Sequence, residues 1–173
     1  MSCHKAQYIS AKTCIAGFIG CCLLFSLIHC TSENPGDKTP KIELIGLSKS
    51  SMIQGDLNQD SLWLEFRFED GDGDFGFGST DARSEVFVYD ERTQSIYDRF
   101  KIPDLPPSNG ALQKGNIQVL LFTTCCLFPN GIPPCSNPPQ FPVDSLQFKL
   151  NILDRAGNMS NFIFTEKIAL LCL

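Results

Sequence analysis

"SLWLEFRF", Ser61 to Phe68, changes polarity at every step. Leu62, Leu64, Phe66 and Phe68 fall on one side, and Trp63, Glu65 and Arg67 on the other. Successive side chains of a strand point to opposite faces, so this alternation predicts a β-strand with one buried face. "SLQFKLNILD", Ser145 to Asp154, repeats the pattern, with Leu146, Phe148, Leu150 and Ile152 set against Gln147, Lys149 and Asn151. Weaker alternation marks Lys41 to Leu47, Glu85 to Asp90, Ser95 to Ile102, Asn116 to Thr124 and Asn161 to Leu170. Gly, Pro, Asn and Asp clusters separate these segments, as turns do. No stretch carries the 3.6-residue period of a crossover helix. The spacing predicts an all-β domain over residues 41–173, a seven-stranded antiparallel sandwich of immunoglobulin or fibronectin-III type.

Residues 1–29 read as an export signal. Lys5 and Lys12 precede an uninterrupted apolar run from Cys14 to Ile28, and no acid lies among them. That run is shorter than the ~20 residues of a membrane-spanning helix and suits a signal core. "LIHC", Leu27 to Cys30, resembles a bacterial lipobox, which makes Cys30 the expected lipidation site. His29 departs from the pattern, because a small residue normally precedes the Cys. An ordinary cleaved signal or an uncleaved anchor is the alternative. Residues 30–40 are polar and turn-rich and read as a flexible tether. Loss of Lys5 and Lys12 leaves 12 basic residues against 19 acids, a net charge near −7. Nucleic acid is an unsuitable partner for such a chain, because phosphates need basic patches.

"FEDGDGDFGFGS", Phe68 to Ser79, places Asp70, Asp72 and Asp74 at alternate positions among glycines, with Asp81 beyond. No Lys or Arg lies between Arg67 and Arg83. Calcium takes six to eight hard oxygens, and glycines let alternate carboxylates converge, so Asp70, Asp72, Asp74 and Asp81 are candidate calcium ligands. Phe75 stands where an EF-hand needs Gly, and strands flank the loop, so a true EF-hand is excluded. The plainer reading is a Gly-Asp turn whose acids are solvated.

Cys125, Cys126, Cys135 and Cys172 are an even number in an exported domain, which predicts disulfides. Adjacent Cys125 and Cys126 point apart in extended chain. Two pairings remain: Cys126–Cys135 with Cys125–Cys172, or Cys125–Cys135 with Cys126–Cys172. His4 and His29, both in the signal, are the only histidines, so Ser-His-Asp and Cys-His catalysis are excluded from the mature domain.

Three pieces carry a family likeness: Cys30 with Glu33 in a polar tether, the strand and loop "LWLEFRFEDGDGDFG", and the hairpin "LNILDRAGNMSN". Together they resemble the small surface lipoproteins of Bacteroidota that carry an immunoglobulin-like sandwich. The hairpin is similar to the F–G hairpin of bacterial Ig-like domains, where Asp-x-x-Gly-Asn closes the turn. The resemblance implies no reaction. It implies anchoring through Cys30 and a sandwich, and it leaves room for a cation at the Asp-rich loop. The expected function is a non-catalytic binding or structural accessory module of the cell envelope. Such a module would be an outer-membrane lipoprotein held by its lipid and contacting a protein or glycan. Leu127, Phe128, Ile132 and Phe141, in the proline-rich loop Cys125 to Pro142, are a candidate partner-binding tip unless they pack back onto the sandwich. The alternative function is an envelope hydrolase using carboxylates of the Asp-rich loop.

Overall fold

The computed structural model describes residues 37–106 and 108–173. The expected signal peptide, Cys30 and residues 31–36 of the tether lie outside the described residues. Ten strands run through the rest: β1 (Lys41–Leu47), β2 (Ser51–Ile53), β3 (Ser61–Asp70), β4 (Val86–Asp90), β5 (Ser95–Phe100), β6 (Gln113–Phe122), β7 (Val143–Leu146), β8 (Phe148–Ile152), β9 (Ile163–Phe164) and β10 (Ile168–Leu171). No helix occurs among the described residues. The strands form three hydrogen-bonded sheets, ordered β1-β3-β6, β2-β10-β7 and β5-β4-β8-β9.

The alternation that predicted the strands also sets their inner faces. Leu62, Leu64, Phe66 and Phe68 of β3 are buried, as are Leu146, Phe148, Leu150 and Ile152 of β7 and β8. Trp63 stands outward and half exposed. Side chains of all three sheets belong to one buried cluster, so the sheets enclose a single core as in a β-sandwich.

Ten strands rather than seven arise because two predicted segments are interrupted and a further short strand, β2, follows the first. The first shifts register between Leu44 and Gly46 in β1, and β2 then pairs parallel with β10 instead of continuing beside β3. Asp60 secures that switch by accepting from the Ile53 amide at 2.8 Å and pairing with Lys49. That parallel pair also corrects the all-antiparallel expectation. One interruption is Gln147, between β7 and β8. Leu146 and Phe148 keep the same inward face across it, so the chain runs on as one strand missing a ladder step. The other lies between β9 and β10. There the Thr165 hydroxyl accepts from the Phe148 amide at 3.0 Å, while the Thr165 amide donates to the Phe148 carbonyl at 2.9 Å. A side chain thus replaces part of the ladder.

The proline-rich loop is tied down at its base. Cysteines pair Cys125–Cys135 and Cys126–Cys172, with Cα separations of 4.6 and 5.9 Å. Arg92 is nearly buried and donates to Asp90 and Asp144 at 2.6 Å each, and to the Cys125 carbonyl at 3.2 Å. Asp144 accepts in turn from the Leu127 amide at 3.0 Å. Phe128 packs against the core, its ring centroid 6.0 Å from that of Phe141. Leu127 stays partly exposed, so the loop packs back rather than presenting all four apolar residues.

Chain entropy ranks the two bridges. A sequence separation of 46 residues makes Cys126–Cys172 worth about 4 kcal/mol, and a separation of 10 makes Cys125–Cys135 worth about 3 kcal/mol. Urea unfolding of the Cys126→Ser/Cys172→Ser variant, followed by intrinsic fluorescence, should show the larger loss of stability.

Candidate metal centre

β3 delivers Asp70 to the end of the sandwich, where the chain leaves the sheet. The following loop is not free. Phe75 is fully buried and Phe77 nearly so, and Phe75 packs against Phe68 with ring centroids 4.8 Å apart. Two buried carboxylates hold the backbone between them. Asp70 accepts from the Phe75 amide at 2.8 Å. Glu85 accepts from the amides of Phe77 at 2.8 Å and Ile102 at 3.1 Å, with Lys101 3.5 Å away. Gly73 takes a φ of +66° there, and a Cβ on it would collide with the Ala111 carbonyl and the Ser108 side chain.

Across from this loop stands the turn that ends β8. Asp154 accepts from the Asn158 amide at 2.7 Å and its side-chain amide at 2.8 Å, while Gly157 takes a φ of +93°. This is the Asp-x-x-Gly-Asn closure expected from the sequence. The turn is fastened to the acidic loop. Asp74 accepts from the Ala156 amide at 3.1 Å through its side chain and from the Arg155 amide at 3.4 Å through its carbonyl.

The outcome is a knot of acids. Asp70, Asp74 and Asp154 each bring a carboxylate oxygen within 4.8 Å of the others. Asp70 and Asp154 have no exposed surface, so the picture of a solvated acidic turn fails for the first of them. Asp72 and Asp74 line an open groove of about 320 Å³ together with Ser108, Gln113 and Arg155. Asp81 is not among the three converging acids. Its carboxylate is partly exposed and bound by Arg83 at 2.7 Å, which holds its pKa down at about 2. Among the described residues, no Lys or Arg forms an ion pair with Asp70, Asp72, Asp74 or Asp154. Arg155 spends its Nε on the Gly76 carbonyl instead.

Asp154 and Glu85 escaped the search for ligands in the sequence. Asp154 was visible as a turn residue, yet nothing local says that its turn faces a loop eighty positions earlier. Comparison with known proteins returns no matching family model, no similar curated protein and no similar solved structure.

Burial raises the Asp70 carboxyl to about 6, helped by the charges of Asp72 and Asp74 and opposed by the Phe75 amide. Burial and the neighbouring Asp154 and Asp72 raise Asp74 as well. A folded state that holds protons more tightly than the unfolded chain loses stability as pH rises between the two pKa values. Metal-free protein should therefore lose about 3 kcal/mol as pH climbs from about 4 to above 6, shared across the coupled acids. Asp81 acts in the opposite sense and only below pH 4. Urea titrations in chelator at pH 4.5, 5.5 and 7 check the direction.

Proposed function

We propose that the chain is a membrane-anchored, exported binding module of the cell envelope, with an immunoglobulin or fibronectin-III type of sandwich and no catalytic role. If β7 with β8, and β9 with β10, are counted as single strands, the layers become β1-β3-β6 and a second sheet in which β5, β4, β8 with β7, β9 with β10, and β2 at the edge follow in order. That division into two layers supports the sandwich type.

The observation that carries the binding reading is the outer face of the second sheet. Register places Ile96 opposite Tyr89, Tyr89 opposite Lys149, and Lys149 opposite Phe164. Phe162 joins this row, its ring 6.1 Å from Tyr89. Lys149 lies 5.4 and 5.2 Å from the two ring centroids. Phe162 and Phe164 are both about half exposed. A contiguous apolar patch of this kind on a sheet face marks a contact surface, and aromatic rings supply most of the energy at such surfaces. A protein edge or a glycan chain suits it.

A hydrolase at the acidic loop has less support. Asp70 and Asp154 are closed to solvent, and one ligand oxygen each of Asp70, Asp74 and Asp154 lies within 4.8 Å of the others. Glycosidic pairs stand ~5–9.5 Å apart across room for substrate.

Two experiments test the proposal. A photo-crosslinker at position 164 should capture a neighbour in intact cells, whereas one at the exposed position 63 should not. Tyr89→Ala with Phe162→Ala should abolish the adduct and leave the melting midpoint within a few degrees. Equal capture from both positions, or none from 164, would sink the surface assignment. Separately, labelled palmitate should enter the wild-type chain and not Cys30→Ala.

A further inference from the structure

Three carboxylate oxygens at the acidic knot, Asp70 Oδ1, Asp72 Oδ1 and Asp74 Oδ1, are buried and accept no hydrogen bond. A buried polar atom without a partner costs free energy, and a buried charged one costs more. Every other buried carboxylate group of this end has its donors. Glu85 has two amides and Lys101, and Asp154 has Asn158 twice. Asp70 is the telling case, because its side chain has no exposed surface and one oxygen is satisfied by Phe75 while the other has no hydrogen-bond donor.

We propose that Asp70, Asp74 and Asp154, with Asp72 at the groove mouth, bind one calcium ion that pins the acidic loop to the turn after β8. This proposal is independent of the partner-binding reading, which concerns a different face. A shared proton is the competing way to quiet the knot. One proton joins two carboxylates and leaves the third oxygen unsatisfied; a divalent cation meets all three at once and offsets their repulsion. The donor set selects the ion. All ligands are hard oxygens, the described cysteines are in disulfides, and the domain has no histidine, so metals that prefer thiolate or imidazole find no donors. Magnesium demands a near-ideal octahedron and keeps most of its water, whereas calcium tolerates an irregular shell of carboxylates from separate segments. Asp72 and Asp74 line the open groove, which admits the ion and its remaining waters, while Asp70 and Asp154 are buried within 4.8 Å of Asp74. The site differs from the one read along the sequence: Asp154 enters, and Asp81, committed to Arg83, leaves.

The test uses the full chain in detergent, stripped with chelator and then titrated with calcium chloride by calorimetry. A dissociation constant on the order of 10⁻⁴ to 10⁻³ M is expected, as for extracellular calcium modules. At 10 mM calcium the melting midpoint should rise by roughly 5 °C. The same concentration of magnesium should do little. Asp154→Asn should lose both the heat and the shift, while Asp81→Asn should keep both. Asp70→Asn removes a charge from the knot without changing its shape. It should melt above wild type in chelator and yet ignore calcium, which separates loss of the site from loss of the fold. If Asp154→Asn fails to fold, this variant decides. Absence of heat and shift in the wild type, their persistence in Asp70→Asn, or an equal response to magnesium would overturn the assignment.

Discussion

The structure depends on carboxylates, three of them buried, that stand in for missing strand partners. At several points where the chain leaves a sheet, an acidic side chain accepts from a backbone amide. Asp60 serves Ile53, Asp70 serves Phe75, Glu85 serves Phe77 and Ile102, Asp144 serves Leu127, and Asp154 serves Asn158. Each charge-assisted bond is stronger than a neutral one, and at Asp70, Glu85 and Asp154 it also buries negative charge.

Most of these acids have a counter-charge. Lys49 faces Asp60, Lys101 faces Glu85, and Arg92 bridges Asp90 to Asp144 while reaching the Cys125 carbonyl. The same arginine thus neutralises two acids and seats the proline-rich loop beside its disulfide. The end of the sandwich holding Asp70, Asp74 and Asp154 is the exception. There the loop is anchored from below by Phe75 and from the side by the turn, so the acids cannot swing apart to relieve their repulsion. Apolar anchoring holds the carboxylates together, with Asp70 and Asp154 buried rather than solvated.

The two proposed surfaces follow from one architecture. The rows of the second sheet alternate inward and outward, so burying Leu150 and Ile152 necessarily turns Lys149 outward between Tyr89 and Phe164. The end of the same β8 strand delivers Asp154 to the acidic knot. The aromatic row and the knot lie at different parts of one strand.

The inward residues of β3, β7 and β8 were legible from the sequence, because a two-residue period records which side chains leave water. The all-β class and the even cysteine count followed on the same local grounds, as did the Asp-x-x-Gly-Asn turn. The two interruptions and the extra strand β2 were not legible. They depend on Thr165 reaching Phe148, on Gln147 skipping a ladder step without changing face, and on β2 finding β10, none of which alters local polarity. Asp70 and Asp74 could be picked out as acids among glycines, but their partner could not. Nor could the choice between two disulfide pairings. Both are matters of which distant segments meet, and a chain's local pattern carries no record of that. Alternation along the backbone determined what would be buried. Packing of the acidic loop against the β8 turn decided that Asp154 joins the knot and Asp81 does not, because Phe75 and the Arg83 ion pair pull the two ends of that loop in different directions.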